Sequence, residues 1–517
     1  MDIRRIIIFA GLAISSYMLI LAWNDDYGTI DSSSPSATQA MSSTSDVPEM
    51  GSEPSVSTNT EVEGDTPNVA DQPAVSQAPV VPTVSPSTQL VRITTDVLHV
   101  LIDPKGGQIV ESRLPAYPMS IEQKDVPFTV LENNSNRTFI AQSGLLGADG
   151  VDKNGGANYS VSSNEYTLAD GQDVLEVVLS TTSDKAKVEK IFTFNRGEYL
   201  IHVDYRITNT SSEPWTGVFY AQLKRDNSGD PSQSSSLGMA AYLGAALTTS
   251  EERYMKIKFS DLEDESFKSV EQGGWAAILQ HYFVSAWIPA QDQPHTYNGR
   301  VVKGMNIFGF YDNAMTVLPG ETATVGAKLY TGPKLQNRLE EIAPNLELVV
   351  DYGILWWVAQ PLFAVLSFIQ SGEINFFGME VDLGGGVGNW GVAIILLTVL
   401  IKAAFFKLSA MSYRSMANMR KVAPKMAQIK ERHGDNREKL GQEMMKLYKE
   451  EKINPLSGCL PILVQMPVFI ALYWVLMESV ELRQAPFFLW IEDMSIKDPY
   501  FILPLLMGAS MFIQMKL

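Results

Sequence analysis

Three polar side chains stand in stretches of sequence that leave no water for them. Lys402 falls inside the apolar run Trp390–Leu408, Thr398 lies four residues earlier, and Gln465 falls inside the run Leu460–Met477. A charged side chain at the centre of a hydrocarbon layer costs roughly 2.5–3.5 kcal/mol on insertion scales. Lys402 follows Gly391 by 11 residues, a depth of about 16 Å in a helix. One reading is snorkelling to the nearest headgroups, which suits Lys407. The other is a lysine facing a wet internal cavity, where a fixed cation attracts polar or anionic groups at low dielectric. At 402 the reach is longer and at least one helical turn remains below it, which favours the cavity. Thr398 shares its helix face. Gln465 needs a partner in lipid, either on a neighbouring helix or in the same cavity.

Enzyme chemistry has no comparable signal. There is no G-x-S-x-G elbow, H-E-x-x-H helix or phosphate loop. The run Gly384–Gly388 is not followed by GK[ST] and reads as a hinge. The single Cys, Cys459, excludes a disulfide framework and a Cys-based zinc site, and reads as a small buried hydrophobe. Five scattered His leave little for a metal centre, so His281 and His295 are expected to be structural or exposed. No catalysis and no cofactor are expected.

The elements that must hold Lys402 and Gln465 are membrane spans. Ile6–Trp23 is apolar, follows Arg4 and Arg5, and ends in Trp23 rather than in a small-residue cleavage site. It reads as an uncleaved anchor over 1–23. Further spans are expected over 389–409, 456–480 and 500–517. Leu346–Ile369 is also apolar but contains Glu347, Asp351, Gln360 and Pro361. With Trp356, Trp357, Phe363 and Phe368 it suits a helix lying at the bilayer surface within 341–388.

Charge sets the orientation. The chain of 517 residues carries 40 Lys+Arg and 58 Asp+Glu, a net −18. Residues 403–452 hold 12 Lys+Arg against 6 Asp+Glu, whereas 24–388 hold 22 against 46, a balance of −24. Basic loops stay inside, so the N-terminus and 403–452 are expected in the cytoplasm, with 24–388 and the loop 481–499 outside. The acidity argues against specific nucleic-acid binding.

The outer segment divides at about 90. Residues 24–90 are rich in Ser, Thr, Pro and Gln and read as a flexible linker. Over 91–340, runs such as Val97–Ile102, Val174–Leu179 and Leu200–Ile207 recur between Gly, Asn, Asp and Ser clusters, the spacing of an antiparallel β-sandwich. Gly273–Phe283 reads as a buried strand or short helix. The inner segment 410–455 reads as a helical hairpin. Met419, Val422, Met426 and Ile429 form one apolar seam, and Leu440, Met444 and Leu447 the other. Asp435 or Asn436 is the expected cap between them, and Pro424 should kink the first helix or mark its start. Met411, Met416 and Met445 add a soft surface. Arg420, Lys421, Lys425, Lys430 and Arg432 make the hairpin cationic.

Several segments resemble one family. Gly388-Asn-Trp-Gly391, Thr398-Val-Leu-Ile-Lys402, Met416–Lys425, Gln442–Tyr448, Asn454–Pro461, Gln465-Met-Pro467 and Val480–Pro486 are similar, in order, to YidC-type membrane protein insertases. So are Gly273-Gly-Trp275, Ala286–Pro289, Tyr330–Pro333 and Val350–Gly353 in the outer part. The resemblance implies a multi-pass α-helical membrane protein of the bacterial inner membrane, with a large periplasmic β-supersandwich and a cytoplasmic helical hairpin. It implies insertion and folding of nascent membrane proteins, alone or with the Sec translocon, through a hydrophilic groove. Lys402 matches the groove's cationic position, where the family usually has Arg, with Thr398 and Gln465 beside it. Lys keeps the charge and loses the bidentate fork. Arg420, Lys421, Lys425, Lys430 and Arg432 would contact client, ribosome, signal-recognition receptor or anionic lipid. The family core has five spans where this chain supplies three, so its last two helices and basic tail are expected to be missing. Two other readings stay open: a membrane-tethered periplasmic sugar-binding or epimerase-like domain, and a transporter.

Overall fold

The computed structural model describes residues 90–233, 241–376, 379–382, 384–433, 437–451 and 460–516. The expected anchor over 1–23 and nearly all of the linker over 24–90 lie outside these residues, as do Asp435, Asn436 and Cys459.

Alternation of apolar and polar residues builds the outer domain. In Leu200–Asn209 the side chains of Ile201, Val203, Tyr205 and Ile207 are fully buried, while His202, Asp204, Arg206 and Thr208 turn outward. A period of two puts one face of a strand into a core and the other into water. This strand pairs antiparallel with Ala186–Asn195 on one side and Thr322–Pro333 on the other. They belong to a nine-stranded sheet ordered Met255–Ile257, Gly244–Leu247, Ala276–Leu279, Phe283–Ile288, Thr322–Pro333, Leu200–Asn209, Ala186–Asn195, Val174–Thr182 and Ser160–Val161. An eleven-stranded sheet faces it, ordered from Phe267–Gln272 through Pro294–Val302, Met305–Tyr311, Trp215–Arg225, Thr138–Leu146, Pro127–Asn133, Gln108–Pro118 and His99–Asp103 to Val91–Thr94 and Glu165–Thr167. Met315–Val317 joins the edge of Trp215–Arg225. Apolar side chains of both sheets fill the space between them, as the sandwich expectation requires.

Each buried indole in this domain finds an acceptor. Trp215 Nε1 donates to Asp149 O, Trp287 Nε1 to Gln222 O and Trp275 Nε1 to Pro344 O. The segment Gly273–Phe283 forms strands, not a helix: Ala276–Leu279 pairs with Phe283–Ile288 around Gln280–Tyr282. Lys190 is buried in the same domain. Its ammonium donates to Gly106 O and Ser143 O at 3.1 Å and lies 5.1 Å from the Tyr205 ring centre. Burial lowers its pKa to about 7, because a charge removed from water is penalised.

Six longer helices follow the sandwich: α1 Trp356–Ser371, α2 Trp390–Ala404, α3 Phe406–His433, α4 Arg437–Glu450, α5 Leu460–Glu478 and α6 Ile502–Lys516. A hairpin of Glu373–Phe376 with Met379–Asp382 separates α1 from α2. Among the described residues, Gly353–Ser371 is long and apolar enough to cross a membrane by length and composition, and α2 and α3 pass that test together only as a pair bent by 61°. Leu463–Glu478 and Ile502–Met515 are shorter apolar stretches. Pro424 neither starts nor ends α3, which runs from Phe406 to His433.

Candidate functional site

The site is built where α1, α2 and α5 meet. Ala393, Leu397 and Ile401 recur every four residues on α2 and form one buried stripe. They share a core cluster with Ala359 and Leu366 of α1 and Ala471, Leu472 and Val475 of α5. Small residues in that cluster allow the helices to approach closely. On its other faces α2 presents Ile395, Leu396, Val399 and Leu400, all exposed.

The start of α2 is fixed by the resemblance motifs themselves. Asn389 Oδ1 accepts from Val392 N at 3.1 Å and caps the helix, while Asn389 Nδ2 donates to Pro486 O and Phe487 O. An N-cap of this kind satisfies one of the amides that a helix leaves open. A Cβ at Gly391 would lie 2.1 Å from Phe487 Cδ2, so only glycine lets the 486–487 segment seat here. The glycine run 384–388, expected as a hinge, packs against the end of α1. Val387 N donates to Ile369 O and Gly388 N to Gln370 O, which satisfies carbonyls at that helix end.

Lys402 is exposed, and its ammonium lies 5.2 Å from the centre of the Phe469 ring on α5. A cation over an aromatic face is held there electrostatically. Gln465 sits one helical turn before Phe469, and its Nε2 is buried without a hydrogen-bond partner. Lys402 and α5 therefore come together. Thr398 is half-buried, and its hydroxyl donates to Ile394 O at 2.8 Å, within its own helix. The apolar run 390–408 is not one helix, because the ladder breaks at Phe405 and Lys402 falls in the last turn of α2. A cation in that position also complements the helix dipole.

The hairpin packs along the two expected seams. Val422 and Leu447 are buried, while Met419, Met426, Ile429, Leu440 and Met444 are half-buried. Arg420, Lys421, Lys425, Lys430 and Arg432 are exposed, and Lys425 pairs with Glu451 at 2.6 Å. Met411 and Met445 are exposed.

The remaining candidates settle into structural roles. His295 is buried, with Nδ1 2.6 Å from Asp312 Oδ1 and Nε2 2.7 Å from Ala290 O. His281 is buried with Nε2 2.9 Å from Met477 O, and burial lowers its pKa to about 4. No cluster of three or more His, Cys, Asp or Glu that could hold a metal occurs among the described residues. Sequence reasoning missed Phe469 and, although Asn389 stands in a motif, the capping role of Asn389. The only sign of Phe469 was its spacing of four from Gln465. Asn389 could have been found as an Asn directly before an apolar helical run.

Two family descriptions match the chain, the YidC periplasmic domain over residues 90–365 and the 60Kd inner membrane protein over 382–517. A protein of Stutzerimonas stutzeri named membrane protein insertase YidC is 51% identical over 519 residues, covering 100% of this chain and 89% of that protein. One of Alcanivorax borkumensis with the same name is 49% identical, covering 100% and 90%. Among solved structures, a galactose mutarotase related enzyme of Lactobacillus acidophilus aligns with 47% of this chain and 97% of its own, at 10% identity and a TM-score of 0.33. A putative aldose 1-epimerase of Escherichia coli aligns with 47% and 98%, at 12% identity and a TM-score of 0.28.

Proposed function

Because this chain belongs to the YidC family of membrane protein insertases, we propose that the α2–α5 face carrying Lys402 receives the polar segments of the proteins it inserts. The protein is an insertase of the inner membrane acting on nascent membrane proteins, and not an enzyme. The epimerase-like and transporter readings are set aside, since the curated relatives share the insertase name over the whole chain.

Moving a polar tail through lipid strips water from its backbone and charges, which is the dominant cost. A wet face that reaches partway into the bilayer shortens the dry path, and a fixed cation offsets the desolvation of an acidic tail. Lys402 supplies that cation. Gln465 supplies a hydrogen-bonding group on α5 one turn from Phe469, and Thr398 lies on α2 one turn before Lys402. The observation that carries this reading is the exposed Lys402 ammonium over Phe469, set in otherwise apolar surfaces. In the membrane, 1–23, 389–409, 456–480 and 500–517 are the spans, with the N-terminus and the 410–455 hairpin cytoplasmic. The sandwich and the 481–499 loop are periplasmic, and α1 lies along the outer surface with its Trp356 and Trp357 at the interface. The exposed cations Arg420, Lys421, Lys425, Lys430 and Arg432 suit a ribosome, a signal-recognition receptor or anionic lipid. The Sec translocon is a further partner of this reading.

Water access tests the groove. In a Cys459→Ser chain, Lys402→Cys is expected to react with a membrane-impermeant maleimide added to the cytoplasmic face of sealed vesicles. Labelling only after the membrane is dissolved would overturn the wet face.

A further inference from the structure

The outer end of α5 is locked into the β-sandwich by buried polar contacts that the insertion chemistry does not use. Lys334, just past the strand Thr322–Pro333, lies 3.6 Å from Glu478, the last residue of α5, with side-chain exposures of 2% and 4%. Next to it, the His281 ring meets Met477 O at 2.9 Å, and the His281 amide donates to Asp230 at 2.5 Å. The chain leaving α5 continues into the sandwich. Val480 joins the core between the sheets. Arg483 Nη2 donates to Pro118 O at 2.7 Å and Met119 O at 3.0 Å, and Gln484 Nε2 to Pro118 O at 3.0 Å. The Arg483 guanidinium lies 5.3 Å from the ring centre of Phe128.

A buried ion pair is a poor device for stability, because both charges lose water and an apolar pair of equal volume would hold as well. It is a good device for register, since one rotation and one height of the helix bring the charges together. The helical grip on α5 is otherwise apolar, through Ala471, Leu472 and Val475, and such a surface tolerates sliding and rotation. Phe469 lies nine residues from Glu478, about 13 Å along the helix, so a turn at the clamp is carried directly to the ring facing Lys402.

We propose that Lys334 and Glu478 are positioning residues, an ion pair through which the β-sandwich sets the rotation of α5 and thereby the place of Phe469 opposite Lys402. This deepens the reading of that face as the client site and rests on it only for its effect on insertion.

The test uses the full chain in lipid with Cys459→Ser. Spin labels at Leu400 on α2 and Tyr473 on α5, both exposed, report the position of α5. A second pair at Val174 and Val270, exposed on the two sheets, reports whether the sandwich is folded. In Lys334→Met and in Glu478→Gln, the α2–α5 distance distribution is expected to broaden while the sandwich pair stays unchanged. The exchanged pair, Lys334→Glu with Glu478→Lys, restores the narrow distribution. Insertion of acidic-tailed clients falls about tenfold in the single variants, less than the roughly hundredfold that a 1 Å misplacement can cost. An unchanged α2–α5 distribution in both single variants overturns the proposal. So does a Lys334→Met/Glu478→Met double variant as narrow as the parent, because packing alone then sets the helix. Distances that move while insertion holds support the clamp and count against the client site at Lys402.

Discussion

Lys402→Glu is expected to slow insertion of clients with acidic outer segments at least tenfold, whereas Lys402→Arg leaves it within about twofold. Two unit charges about 6 Å apart at an effective dielectric near 20 interact by roughly 3 kcal/mol. Each 1.4 kcal/mol is a factor of ten in rate, so replacing attraction with repulsion has ample leverage. Lys402→Ala removes the attraction alone and falls between the two. Pulse-chase protease protection of an acidic-tailed client checks this, with a client of the same length lacking acidic residues as control. That control should change little with any of the three substitutions. Equal losses for both clients would point to damaged helix packing instead of a lost charge. Arg is the natural replacement because it holds its charge when desolvated.

The second large effect falls in the sandwich. Gly309 lies in the strand Met305–Tyr311, opposite Gln222 on one side and Asn298 on the other. A Cβ there would sit 2.2 Å from Ala221 O and 2.4 Å from Gln222 Cα. Those atoms are backbone of a neighbouring strand and cannot swing away. Gly309→Val should therefore cost more than the roughly 1–3 kcal/mol of ordinary overpacking. For a domain of this size, about 3 kcal/mol lowers the melting temperature by roughly 6–12 °C. Fluorescence of the buried indoles Trp215, Trp275 and Trp287 follows the transition in the purified full chain. Gly229→Ala, where nothing lies within 4 Å of the new Cβ, should leave the midpoint unchanged.

What the sequence made legible was local. The strand Leu200–Asn209 announces itself by alternation, and the hairpin seams by their spacings of three and four. Lys402 and Gln465 stand out because a polar group in an apolar run is rare for a physical reason. The ambiguous segment Gly273–Phe283 could not be resolved that way, since a strand buried on both faces has no period to read. Its turn at Gln280–Tyr282 becomes visible only with its partner strand in place.

What stayed hidden was long-range. Nothing near Lys402 marks the break at Phe405, which contains neither Pro nor Gly, so the apolar run 390–408 reads as one helix. Gly384–Gly388 reads as a hinge from composition, yet the amides of Val387 and Gly388 are bonded to carbonyls of α1. Lys334 and Glu478 look like ordinary surface charges until the fold brings them together, 3.6 Å apart and out of water. Asn389 and Gly391 share one motif and Pro486 closes another, and the two motifs, with Phe487, make sense as one contact. For the last three, the missing information was the identity of a neighbour distant in sequence.

The central claim is that clients pass along the α2–α5 face beside Lys402, and photo-crosslinking tests it most directly. A photoreactive amino acid at Phe469, with others at Val270 on the sandwich and Met445 on the hairpin for comparison, is placed in the full chain during synthesis of an acidic-tailed client. Crosslinks from 469 to the client's polar segment, arising while that segment is in transit and fading in Lys402→Glu, are the predicted result. Efficient insertion with no crosslink from 469, or with the same yield from 270 as from 469, would contradict it.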